Sequence, residues 1–495
     1  MDSSLITVGL VVLHWTIAVG LSLRVLMRRR PRGAAFAWIL LMLAIPYAGA
    51  AFYLFVGEVW LPRRRVVEIT DLIDKTSGPG GVLRPPPDLP GIDTELLGLL
   101  SRQARAAAGS MMTTRNAIEL LDGAEPAFER IIQDIDNAER TCFLLSYIWH
   151  PGGSTEAIAE ALVRAAQRDV DCRVLIDAHG GDAFFDSDLP KRLRRAGVRV
   201  AAACPIGRLR LQLSRIDLRN HRKIIVIDSR TGYTGSLNIA DPAIFKIRAR
   251  VGRWVDCAVR VTGPAAEGLQ TVFLNDWRLE HPDEPATPDA ASPSPESSSA
   301  PAAGPAEPAE PEGPMCAVVL PSGPGQDPYV LRQMLLTLIY AARQEVVLTT
   351  PYFVPGDATL SALIAVARGG VRVRLILPKK VDALLVGMAS RSYYQDLLDA
   401  GVEILHYNGG LLHSKTATVD GEISMLGSAN MDLRSFELNL EVSLFVFDLE
   451  FTQQLNALQE RYAKNSTRLT PEVWSSRSLV RKMAQNVAQL VAPIL

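Results

Sequence analysis

Two stretches of this 495-residue chain carry the same chemically capable residues at the same offsets. The first holds His221, Lys223, Asp228, Gly235, Ser236 and Asn238, and the second holds His413, Lys415, Asp420, Gly427, Ser428 and Asn430. An isolated His-x-Lys is weak, but a whole pattern recurring in register points to a repeated site rather than to repeated packing. An imidazole acts as nucleophile or proton donor near neutral pH, and two of them can divide those roles across one bond. Lysine brings a compact positive charge to a phosphoryl oxygen, and Ser and Asn offer neutral donors to the same group. Each stretch therefore supplies half of a phosphoryl-transfer site.

The local sequence indicates what must position these groups. The first pattern lies in the β-branched stretch 224–227 and then meets a turn at 229–232; its counterpart, 416–419, ends at the Asp420-Gly421 step, a strong hairpin signal. His and Lys two apart on such a strand would face one ligand together. Beyond each pattern an acid leads into a further strand, Asp256 before 257–261 and Glu441 before 442–447. These carboxylates are placed to hold a histidine ring in one tautomer. Asp228 and Asp420 complete two His-Lys-Asp sets and are expected to fix the motif loops through backbone or arginine contacts. Arg222, Arg253 and Arg434 can serve phosphate or structure, while His150, His179, His281 and His406 lie outside the repeated offsets and are expected to take no part.

A chain of this length exceeds one ordinary core and predicts two or more domains. Ahead of the first pattern the periodicity predicts helix 116–140, strand 141–148, helix 154–168, strand 172–177, helix 188–196 and strand 198–204. Ahead of the second it predicts helix 329–342, strand 345–350, helix 359–367, strand 371–378, helix 389–400 and strand 402–407. Ser146-Tyr147-Ile148-Trp149 is echoed by Pro351-Tyr352-Phe353-Val354, so one α/β unit, a sheet with covering helices, is present twice. The expected organisation is a membrane hairpin at 1–62, a connector at 63–110 with a short helix over 94–106, a first domain at 111–280, a Pro/Ala/Ser/Glu linker at 281–314 and a second domain at 315–495.

Residues 5–23 and 34–56 are apolar runs, each long enough to cross a bilayer. Asp2 is the only charged residue ahead of them, and Arg24, Arg28, Arg29, Arg30 and Arg32 come between, which favours a retained hairpin over a cleaved leader. Pro46 and Gly49 permit a kink or a re-entrant path in the second run. The five loop arginines lean towards an external catalytic portion, but Arg63, Arg64 and Arg65 oppose them and leave the side open. His14 is expected to pack or to sit at the interface. Near the C-terminus, Leu479, Val480, Met483, Val487, Leu490 and Val491 form a helical stripe. It is expected to pack against the second domain, with a place among lipid headgroups as the alternative.

The net charge of -1 gives no general nucleic-acid footprint. Five widely spaced cysteines suggest buried thiols, neither a disulfide framework nor a metal set, and no cofactor is expected.

Both patterns resemble the H-x-K-x4-D signature of the phospholipase D superfamily with its Gly-Ser-x-Asn extension. Within that superfamily the chain is similar to the bacterial cardiolipin synthases, through Arg219-Asn220-His221-Arg222-Lys223, Leu412-His413-Ser414-Lys415, Asn430-Met431-Asp432-Leu433-Arg434-Ser435, Asn439-Leu440-Glu441 and the two N-terminal apolar runs. The match departs at Gly235-Ser236, where many members have Gly-Gly, and after Asp241, where a common tyrosine is missing. The resemblance implies a duplicated phospholipase D-like α/β fold behind a two-helix transmembrane or re-entrant hairpin, in a multi-pass protein of the bacterial inner membrane. It also implies metal-free transfer of a phosphatidyl group from one phosphatidylglycerol to the glycerol hydroxyl of another. His221 would then be the nucleophile and His413 the acid and base, with Lys223, Lys415, Asn238 and Asn430 on the phosphoryl oxygens and Ser236 and Ser428 in support. Phosphatidylglycerol and anionic lipid are the implied partners. A phospholipase D that hands the group to water, another phosphatidyltransferase, or more remotely a nuclease would carry the same double pattern.

Overall fold

The computed structural model describes residues 3–27, 32–57, 89–205, 218–281, 313–324, 327 and 329–490. They fall into two compact units, one holding 3–57 and the other 89–490. The arginine groups at 28–30 and 63–65, most of the connector and linker residues 282–312 lie outside the described residues.

The first unit opens with the helix Ser3–Met27, of which Ile6–Met27, at a mean hydropathy of 2.0, is long and apolar enough to cross a membrane. Its large apolar side chains, Leu10, Val12, Trp15 and Leu23 among them, are exposed. Burying such a side chain is worth ~1.5–3 kcal/mol, which water withholds and lipid supplies. The second apolar run does not make one long helix. Helix Arg32–Ala44 stops ahead of Pro46, and the chain resumes as Ala48–Phe52 followed by a π-helical turn at Tyr53–Gly57. Proline has no N–H for the helical ladder and its ring crowds the preceding turn. Val25, Met42 and Tyr53 share a small core between the runs, and Trp38 meets Phe52 and Tyr53 at 5.6 and 5.5 Å. His14 is buried edge-on to Tyr47 at 5.7 Å, a packing role.

In the second unit the first half contributes β1 Met112–Asp122, β2 Thr141–Ser146, β3 Asp171–Asp177, β4 Arg199–Ala203, β5 Ile224–Ile227, β6 Thr231–Gly235, β7 Trp254–Val255 and β8 Cys257–Thr262. The second half contributes β9 Met315–Ser322, β10 Glu345–Thr349, β11 Phe353–Val354, β12 Arg372–Pro378, β13 Glu403–Tyr407, β14 Leu411–Leu412 and β15 Thr416–Val419. It continues with β16 Ile423–Gly427, β17 Met431–Asp432, β18 Glu441–Phe447 and β19 Ser466–Arg468.

One sheet runs β19-β13-β12-β10-β15-β16-β18-β9-β1-β8-β6-β5-β2-β3-β4. Read outward from the β9–β1 contact, β1-β8-β6-β5-β2-β3-β4 repeats as β9-β18-β16-β15-β10-β12-β13, so the duplication extends to topology. Because β1 pairs antiparallel with both β8 and β9, the halves share a continuous sheet instead of merely touching. Central strands such as β5 and β18 are buried along their whole length, as strands covered on both faces must be.

Three expectations need correction. Residues 116–122 are not helical: they complete β1, and the helix starts after Gly123, whose φ of 97° turns the chain, and runs Ala124–Asp136. Long-range pairing with β8 overrides the local periodicity there. The helix expected at 389–400 is two shorter ones, Leu384–Ser392 and Tyr394–Asp399. Helix Thr94–Ala108, expected within a connector, is capped by Asp93 and buries Leu97, Leu100 and Ala104 in the core of the second half.

Candidate active site

The His-x-Lys segments do not lie within β5 and β15, where they were expected, but immediately ahead of them, in extended chain. Each is held by the opposite half. Asn220 bridges to Leu440, and the His221 amide donates to the Leu440 carbonyl at 2.9 Å. In the mirror position β14 pairs in parallel with β7, and the His413 amide donates to the Val255 carbonyl at 2.8 Å. Since Leu440 precedes Glu441 and Val255 precedes Asp256, these ladders set each histidine beside the acid of the other half.

The side chains follow the backbone. His221 Nδ1 lies 3.0 Å from both oxygens of the fully buried Glu441, and His413 Nδ1 lies 2.6 Å from Asp256 Oδ1. The Ser428 hydroxyl donates to Glu441, and the Ser236 hydroxyl donates to Asp256 at 2.6 Å. Both serines, expected among the phosphoryl donors, thus hold the carboxylates instead. Bonded in this way, each imidazole keeps its proton on Nδ1 and turns Nε2 away from its carboxylate. Lys415 Nζ is 3.0 Å from His413 Nε2 and donates to the His413 carbonyl at 2.8 Å; Lys223 Nζ donates to the His221 carbonyl at 2.6 Å. Asn238 accepts from the Ile148 amide at 3.2 Å, while the buried Asn430 has no partner for its side-chain oxygen among the described residues.

Burial dominates the titration of the cluster. Desolvation, reinforced by the lysine charges and opposed by the paired acids, brings His221 and His413 down to about 4, so both rest neutral at pH 7. Desolvation likewise lowers Lys223 to about 7 and Lys415 to about 8 against the pull of Glu441 and Asp256. Burial alone would raise Glu441, but its bonds to His221 and Ser428 and the charge of Lys223 more than offset this and hold it at about 2. The site is a pair of neutral nucleophile-capable imidazoles with fixed tautomers, set among buried cations and anions.

Asp228 and Asp420 do not point into it. The Asp228 carboxylate accepts from the amides of Glu139, Arg140 and Thr141 at 2.7–2.9 Å, and Asp420 from those of Arg343, Gln344 and Glu345 at 2.8 Å. Each carboxylate ties the turn after its motif strand to the start of the neighbouring strand. Arg222 is buried on Asp276, the Glu441 carbonyl and the Ser322 carbonyl, which makes it structural, whereas the Arg253 side chain is exposed. His150, His179, His281 and His406 make their ring or ion contacts to Phe245, Asp182, Trp277 and Tyr394, not to either of the paired histidines. All five cysteines are buried free thiols.

Sequence reasoning missed the rings and anchors around the histidines. Tyr147 stands edge-on to His221 at 4.9 Å and Trp254 lies 4.2 Å from His413. Asp177 accepts the Asn220 amide at 2.9 Å and so anchors the chain just ahead of His221. The echoed Tyr147 string was a signal for the first; Trp254 sits two residues before Asp256, where the other half has Asn439 before Glu441, and repeat alignment would have exposed that asymmetry.

The family model described as "Cardiolipin synthase, PLD-like domain" matches residues 131–277 and 335–462, and that described as "Phospholipase_D-nuclease N-terminal" matches 16–58. Cardiolipin synthase A of Salmonella paratyphi A is 37% identical over 489 residues, 97% of this chain and 97% of that protein. Cardiolipin synthase A of Yersinia pseudotuberculosis serotype O:3 is 36% identical over 483 residues, again 97% of each. The crystal structure of a phosphatidylserine synthase from Haemophilus influenzae aligns with a TM-score of 0.54 and 17% identity, covering 76% of this chain and 95% of that one, which is a likeness of fold. The first apolar helix together with these relatives makes the protein membrane-associated. Two repeated motifs, one duplicated sheet and near-complete coverage at this identity lead to one assignment: the chain belongs to the cardiolipin synthase family of phospholipase D-like proteins.

Proposed function

We propose that the protein is a phosphatidyltransferase that joins two phosphatidylglycerol molecules into cardiolipin and glycerol in the bacterial inner membrane, with both apolar runs of 1–62 in the bilayer and 281–314 as a tether between the halves. The observation that carries this reading is the crossed pairing, His221 with Glu441 and His413 with Asp256, which sets two oriented imidazoles among two buried lysines. His221 Nε2 attacks the donor phosphorus; the new P–N bond replaces the P–O bond to the headgroup glycerol, whose oxygen takes a proton from His413. His413 then removes the proton of the acceptor hydroxyl, the P–N bond breaks, and both rings return to their starting state. The negative charge of the bound phosphodiester favours the protonated His413 that the first step needs, against burial and the lysines. Lys223, Lys415, Asn238 and Asn430 are the groups available to the non-bridging oxygens. Asp228 and Asp420 serve indirectly, by fixing the motif turns.

Incubating the purified protein with labelled phosphatidylglycerol and separating the lipids distinguishes the readings. Cardiolipin with released glycerol is the expected product pair. Phosphatidic acid alone would replace this reading with a hydrolytic phospholipase D, and unconverted lipid would remove it. The pH dependence is a second check. The two lysines are cations below, and neutral above, about 7 and about 8, so kcat/KM should fall as pH rises through that window. The bound anion raises both lysines, and the kcat limb should therefore lie at higher pH than the kcat/KM limb. A kcat/KM that keeps rising past pH 9 would rule out the buried lysines as the groups that bind phosphate.

A further inference from the structure

The last helix, Leu479–Leu490, faces opposite to the way a packing element should. At about 100° per residue, Leu479, Val480, Met483, Val487 and Leu490 fall within an arc of about 100°. Each is between 59% and 80% exposed. The side that packs, against helix Leu384–Ser392, buries Gln485 and Ala488 instead. The stripe was expected to pack inward; the helix does dock on the second half, but through its polar side. Its neighbour adds exposed apolar side chains of its own, Leu384 and Leu385 at 74% and 50%.

A chain of contacts links the start of helix Leu384–Ser392 to the site. Just ahead of Leu384, Asp382 accepts from the Tyr352 hydroxyl and binds Lys246 of the other half at 2.7 Å. The Lys246 ammonium lies 5.3 Å from the centre of the Trp254 ring, which itself lies 4.2 Å from His413. Beside Lys246, Ile247 is 63% exposed. The charge of the terminal segment has one sign: residues 477–490 include Arg477, Arg481 and Lys482 and no acid.

We propose that this face, with the Leu479–Leu490 helix in the plane of the interface, rests in the headgroup region of an anionic bilayer and presents the site rim to lipid. An amphipathic helix with a basic start and an outward apolar arc binds such a surface through both terms, apolar burial and attraction to anionic headgroups. A site held at that depth takes a phosphodiester from the headgroup layer while its acyl chains stay in the bilayer, so no chain need be drawn into water. The inference rests on the phosphatidyl-transfer reading for its purpose, but not for its geometry.

The test uses the full chain reconstituted in vesicles of phosphatidylglycerol and phosphatidylethanolamine. As the native cysteines are buried, a fluorescent thiol label can be directed to Met483→Cys, Val487→Cys or, as a control, the exposed Glu450→Cys. Labels at 483 and 487 should be quenched by spin-labelled lipid and shielded from aqueous iodide, with the reverse at 450. Equal iodide quenching at all three positions overturns the proposal. So does shielding without lipid quenching, if replacing the apolar arc also turns a detergent-solubilised dimer into a monomer, because a second copy would then cover the face. Leu479→Gln, Val480→Gln, Met483→Gln and Val487→Gln combined should lower turnover in vesicles about ten-fold or more and leave turnover on detergent-dispersed phosphatidylglycerol within about three-fold. Equal losses in both media, or none in either, overturn it as well. Should the unaltered protein convert no lipid at all, the proposed function fails, while the quenching pattern still decides the docking.

Discussion

His221→Ala and His413→Ala each lower turnover of phosphatidylglycerol by at least about 10³, because each ring takes part in both halves of the cycle. The two variants separate on a donor with a good leaving group, such as a phosphatidyl ester of p-nitrophenol, whose departure needs no acid. His413→Ala should then release about one equivalent of p-nitrophenolate per site and stall, since the P–N bond forms but no base activates the acceptor. His221→Ala should release none. A burst from His221→Ala with none from His413→Ala would exchange the two roles, and near-normal turnover by either variant would remove that histidine from the chemistry. The neutral resting state of both rings leaves the roles open to such a test, and the pseudo-symmetry of their surroundings makes it necessary.

Glu441→Gln and Asp256→Asn should each cost about 10²–10⁴ in kcat with little change in KM, because an amide can hold Nδ1 without its proton and so places the proton on Nε2, the atom that must attack or accept. Both carboxylates are buried and bonded to a serine, so an isosteric amide keeps the shape while removing the charge. The crossed geometry adds a prediction that a half-by-half site does not make. With the activated donor, Asp256→Asn should mimic His413→Ala, a burst and then a stall, and Glu441→Gln should mimic His221→Ala. In double variants the loss from His221→Ala and Glu441→Gln should fall far short of the product of the two. Phenotypes grouped by half, with Asp256 following His221, would contradict the pairing seen at 3.0 and 2.6 Å.

Much of this site was legible from the chain alone. The offsets around His221 and His413, the strands that follow them and the acids Asp256 and Glu441 all carry local signals: residue type, β-branched runs and a turn with a left-handed residue, seen as φ 53° at both Asp228 and Asp420. The misses share one cause. Residues 116–122 read as helix because the following helix extends their apolar rhythm, and only partners more than a hundred residues away, in β8, make them a strand. The terminal stripe read as a packing face because amphipathicity reports that a helix has two sides, not which side meets protein.

The sequence by itself determined which chemistry was available, since imidazole, ammonium and carboxylate are properties of residue type and their repeated spacing needs no fold to be seen. It also determined that the chain would be built twice over. What the tertiary structure decided was partnership. Glu441 lies 220 residues from His221, and Asp256 lies 157 residues before His413, yet they form the two pairs. No period in the chain encodes that exchange. It arises because β1 and β9 join the two sheets edge to edge and the segment ahead of each acid forms a backbone ladder with the opposite histidine segment, so hydrogen bonds between distant strands fix which carboxylate each ring can reach.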